Sequence, residues 1–109
     1  MSIWPFMIRR VQGHSMVPVL PPGTVVYGWR WFHKVKPQSV VIALHDLREV
    51  IKRVDHIEND QLYLLGDHAE TSTDSRHYGL VPMSEIESIV VWPRTRRVLA
   101  EQITNFSDS

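Results

Sequence analysis

Hydrophobic positions in this chain come in short runs, broken every few residues by Gly, Pro, Asn or Asp. Ile8 to Val11 reads as a short strand. Leu20-Pro21-Pro22-Gly23 is a turn, because Pro fixes φ and Gly frees it. Val25 to Trp29 is β-branched and aromatic, the composition of a strand. Lys36-Pro37-Gln38 turns the chain into Ser39 to Leu44, a continuous apolar run of the kind buried on both faces. His45-Asp46 is the next turn, and Glu49 to Val54 the next strand. Glu58-Asn59-Asp60 leads into Gln61 to Leu65, which stops at Gly66. Residues 67–78 are polar and read as loop. Val81 to Glu85 can form one helical turn capped by Ser84. Ser88 to Trp92 is the last strand, stopped by Pro93. The pattern predicts a mainly β, single compact domain of coiled antiparallel sheets. Its bounds are residues 1–97, followed by a C-terminal tail over residues 98–109 that is helical or disordered.

With 109 residues, one domain and a modest core are expected. A formal net charge of +0 argues against broad electrostatic binding of nucleic acid or anionic lipid. The absence of cysteine removes disulfides, thiolate metal sites and a cysteine nucleophile. Six histidines show no ligand spacing on one element, so no metal and no cofactor are expected. No apolar run approaches the roughly 20 residues that span a bilayer. Trp29 and Trp31 alternate onto one face, and with Trp4, Phe6 and Phe32 they read as core rather than as a rim for a membrane or partner.

Two stretches carry chemistry. In Gly13-His14-Ser15-Met16-Val17-Pro18, glycine permits an irregular backbone and proline bars a helix. A serine held there can present its hydroxyl with its own backbone N–H alongside, which suits a nucleophile with part of an oxyanion hole. The alternative is a turn serine bonding its own backbone. The partner stretch is Val50-Ile51-Lys52-Arg53-Val54. Strand alternation puts Lys52 on the face of Val50 and Val54, where burial would favour the neutral amine. The alternative is an edge-strand lysine that discourages aggregation.

Taken in order, Ser15-Met16-Val17-Pro18, Lys52-Arg53-Val54 and the string from Gly66 to Gly79 resemble the signal peptidase I family of Ser–Lys proteases. The likeness runs from about Val11 to about Trp92. It implies Ser15 as nucleophile, Lys52 as general base and Ser72 as the hydroxyl that orients the amine. It implies Asp74 and Arg76 as a loop-shaping ion pair, Gly66 and Gly79 as turn glycines, and Asp67 as a loop residue bonding backbone N–H groups. The Ser15 N–H would serve the oxyanion. Gly13 stands where many members carry a serine, so no second hydroxyl is supplied there. Met16 and Pro18 would border a groove for small substrate residues. Other departures are Val19, Thr24 and His68, none at a catalytic position.

The resemblance implies a serine endopeptidase that removes an N-terminal leader from a polypeptide precursor, with no nucleic-acid partner. Without a membrane anchor, the chain is most similar to the maturation proteases of nickel-type superoxide dismutase, which implies a cytoplasmic location. Two alternatives stand beside this: a signal peptidase-like enzyme peripheral to the membrane, and a catalytically silent binding module of the same fold. A self-cleaving LexA-type repressor fits poorly, because too little chain precedes Ser15 and no Ala-Gly or Cys-Gly pair lies there.

Overall fold

In the computed structural model, residues 4–68 and 73–95 are described. Seven strands form one antiparallel sheet: β1 (Phe6–Arg10), β2 (Val25–Trp29), β3 (Val40–His45), β4 (Arg48–Glu58), β5 (Gln61–Leu65), β6 (Val81–Pro82) and β7 (Ile86–Trp92). Their spatial order is β1-β2-β7-β3-β4-β5-β6. The mainly β expectation is met, as a single sheet rather than several.

β3 lies at the middle of the sheet and is buried on both faces, which explains its continuous apolar run. Val41 and Ala43 enter one cluster with Val54, Leu62, Leu64, Val81 and Ile86. Val40 and Ile42 enter a second with Met7, Val11, Met16, Leu20 and Val26. Two tight hairpins set the register. Asp46 and Leu47 both take positive φ between β3 and β4, and Asn59 and Asp60 do so between β4 and β5. This is the paired left-handed geometry that matches strand twist, and Asn and Asp tolerate it best. At the β2–β7 crossing, a Cβ on Gly28 would stand 2.2 Å from the Ser88 hydroxyl oxygen, so no larger residue fits.

Several expectations need correction. β4 is 11 residues long, because pairing with both β3 and β5 extends it past Val54. Within the expected loop 67–78, Ser75–Tyr78 form a short helix, α1. Asp74 caps it, accepting from the Arg76 N–H, in a reciprocal box with His77. Met83–Glu85 form one 3-10 turn whose cap position is Pro82, so Ser84 sits inside the turn and does not cap it. The tail 98–109 lies outside the described residues. Of the aromatic residues expected in the core, Trp4, Phe6 and Trp31 are not there. Trp4, Phe6, Tyr27, Trp31 and Trp92 are exposed; Phe6 and Trp31 meet Trp29 edge-on, Tyr27 meets Trp92 edge-on, and Trp4 is tilted against Phe6. Among the described residues no second layer covers this flank of β1, β2 and β7; Trp29 is half-buried there, while Phe32 is half-buried against the first core cluster, as expected of a core residue.

Candidate active site

The serine stretch is a run of turns held from three sides. Gly13 has φ +75, a conformation that costs other residues free energy. The Val17 N–H donates to the His14 carbonyl at 3.2 Å, and the Leu20 N–H to the Met16 carbonyl at 2.8 Å. Met16 and Leu20 plug the second core cluster, which anchors the turn. The third restraint comes from across the molecule: the His68 N–H donates to the Ser15 carbonyl at 2.7 Å. Ser15 itself is half-buried.

β4 delivers Lys52, which pairs with Val41 in the centre of the sheet. Only 5% of Lys52 is exposed. Burial pushes its amine below the ordinary lysine range. The Asp74 carboxylate opposes that shift, and the Arg76 guanidinium adds to it. Lys52 and Ser15, 37 positions apart in sequence, line one cavity of about 370 Å³. Its other walls are Val11, Met16, Ile42, Val50 and Ile51 on the apolar side, and Arg9, Arg10, Gln12 and Glu49 on the polar side. Pro18, expected at the groove, is exposed and is not among the lining residues. Ser72 lies outside the described residues.

The residues around Lys52 and Ser15 are tied together by buried charge. Arg53 forks onto Asp67, Nε to Oδ1 at 2.9 Å and Nη2 to Oδ2 at 2.9 Å. Both side chains are at most 1% exposed. The Arg53 Nη1 also donates to the Gln38 carbonyl at 2.8 Å. Asp67 therefore holds a guanidinium, a partner that the sequence did not announce. A pair so dry needs this bidentate geometry to offset its desolvation. The consequence is positional: Arg53 follows Lys52, and His68 follows Asp67. One fork thus links the lysine strand to the loop that holds Ser15.

Asp74 is fully buried and accepts from the Gly66 N–H at 2.8 Å. Arg76 pairs with both of its carboxylate oxygens. The Arg76 Nη2 also reaches the Gly66 carbonyl at 3.4 Å. Ser75 Oγ accepts from the Leu64 N–H at 2.8 Å, fastening α1 to β5. Gly79, with φ +82, ends α1. Sequence reading missed Arg53 and His68 as positioning residues, though both stand inside the quoted strings. It also missed the cavity walls contributed by Arg9, Glu49 and Ile51, because β1 and β4 are far apart in the chain. Only the strand order could bring them together.

Among the described residues, no three His, Asp or Glu side chains are grouped to hold a metal ion. Nor is any helix there long and apolar enough to cross a membrane. A search of curated proteins found no match to the chain. Residues 43–94, slightly under half of the chain, match the family model described as signal peptidase, peptidase S26. That span holds Lys52, Gly66, Asp67, Asp74, Arg76 and Gly79, while Ser15 precedes it. Over these residues the chain is similar to a family of serine peptidases whose substrates are polypeptides.

Proposed function

We propose that the protein is a serine endopeptidase in which Ser15 attacks and Lys52 serves as general base. The observation that carries this reading is one cavity shared by a half-buried serine and a lysine with 5% exposure. A lysine in water is neutral about once in a few thousand molecules at pH 7, too seldom for an efficient base. Burial of Lys52 raises that fraction.

In the proposed sequence, the neutral amine takes the proton from the Ser15 hydroxyl as Oγ bonds to the scissile carbonyl carbon. The carbonyl electrons move onto oxygen, where the Ser15 backbone N–H stabilises them. Gly13 offers no side-chain donor. Collapse of the intermediate expels the new amine terminus, which takes the proton from the Lys52 ammonium. Water, deprotonated by Lys52, then releases the acyl group. Ser72 is assigned to orient the amine. The Arg53–Asp67 fork and the His68 N–H keep base and nucleophile in register.

The substrate proposed is a precursor bearing an N-terminal leader, with the nickel-type superoxide dismutase precursor first and a cytoplasmic location. The exposed aromatic flank favours, as second reading, an enzyme peripheral to a membrane and acting on exported proteins. The test is processing of a leader-bearing precursor by wild type, Ser15→Ala and Lys52→Ala. Each variant should lose at least about 10³-fold in rate. Cleavage that survives both changes overturns the mechanism. No cleavage by wild type of any leader-bearing precursor leaves a binding module of this fold.

A further inference from the structure

The cavity wall joins two chemistries. With Ser15 and Lys52, the apolar side chains of Val11, Met16, Ile42 and Ile51 line the cavity. In the same wall Arg9 of β1 forks onto Glu49 of β4, Nε to Oε1 at 2.6 Å and Nη2 to Oε2 at 3.0 Å. β1 and β4 are not neighbours in the sheet, so this pair bridges two strands that no backbone ladder joins. Arg9 Nη1 is held by the Ile8 carbonyl at 3.0 Å, which fixes the plane of the fork. Glu87 stands against the same pair, and burial together with the neighbouring Glu49 carboxylate pushes its carboxyl above the usual carboxylate range. Both side chains of the fork keep about a third of their surface in water, 39% for Arg9 and 34% for Glu49.

Ile51 and Glu49 are two residues apart on β4 and face the same way, opposite Ile42 and Leu44. Along a strand that spacing is about 7 Å, which is also the distance between same-side residues of an extended peptide. The geometry points to a two-part specificity: a substrate residue seated on Ile51 is apolar, and the residue two positions from it carries an uncharged hydrogen-bonding side chain that rests on the Arg9–Glu49 fork. An apolar residue there would strip water from both charges and return no hydrogen bond. This inference rests on the peptidase reading.

The test begins with a random peptide library whose cuts are mapped by mass spectrometry. Synthetic peptides of the best-cut frame then carry Gln or its near-isostere Leu two positions from the apolar residue at the cut, on either side. Wild type should favour Gln about tenfold in kcat/KM at one of these positions. The double variant Arg9→Met/Glu49→Leu removes both charges together and should reverse the preference. Arg9→Met alone leaves the Glu49 and Glu87 carboxyls without the Arg9 charge and should shift the preference to Lys. Each ratio is taken within one protein, so loss of folded fraction cancels. A wild-type ratio near one at both positions, or one unchanged in the double variant, overturns the inference and leaves the peptidase intact. Failure of wild type to cut any library peptide overturns the peptidase reading, and this inference with it.

Discussion

At the scale of single residues, Lys52 gives the sharpest consequences. Its folded-state pKa is lowered, so between that value and the ordinary one of about 10.4 the unfolded chain binds the extra proton. Stability therefore rises with pH across this window. Lys52→Met should be more stable than wild type at neutral pH, and the gap should close as pH climbs toward 10. Urea unfolding at several pH values measures it, and a constant gap would contradict burial as the cause. As the proposed base, Lys52 should set a rising limb of kcat/KM that lies below the ordinary lysine range. The fork beside it behaves differently. Arg53→Met or Asp67→Leu alone strands a buried charge and should cost about 3–5 kcal/mol. The double change should cost less than the sum of the two, as read from denaturant midpoints. Ser15 and Lys52 were legible in the sequence as a pair of odd residues in odd places. The Arg53–Asp67 partnership was not, because a buried arginine on a strand looks the same in sequence as a solvated one.

At the scale of elements, the strands were legible wherever apolar runs met Gly, Pro or Asn-Asp stops. β2 and β5 match their sequence bounds: turn chemistry marks both ends of β5 and the start of β2. β4 was cut short because Asp55 and His56 look like loop residues. Pairing with β5 overrides that preference, and the Asp55–His56–Glu58 side chains bond one another at the surface. α1 was missed because its four residues lack any apolar period and its start depends on one buried cap, Asp74. Asp74→Ala should remove that cap and orphan the Gly66 N–H, at a cost of about 2–3 kcal/mol. Thermal unfolding would show this as a clear fall in Tm. A cost below about 0.5 kcal/mol would mean that Asp74 does not hold the loop. Gly28→Ala should cost about 1–3 kcal/mol, because its Cβ would collide with Ser88 in a fully buried crossing.

At the scale of the whole molecule, the sheet order is what assembles the cavity. β1 and β4 form its walls although three strands separate them in the sheet. The sheet must curl to bring them together, and no local pattern announces a curl. Among the described residues, the same geometry leaves β1, β2 and β7 uncovered on one flank, where alternation alone suggested core. There, Trp31→Gln should change stability by less than about 0.5 kcal/mol, since the side chain is 56% exposed. A larger loss, measured in urea, would show that the aromatic flank packs against something in the folded chain.

The most direct measurement is the titration of the Lys52 amine by NMR, with the side chain labelled and followed from neutral to alkaline pH. The account predicts a midpoint below about 10.4, in a folded protein whose Ser15 hydroxyl is intact. A midpoint at the ordinary lysine value would mean that the amine is charged whenever substrate arrives, and would contradict the assignment of Lys52 as the base.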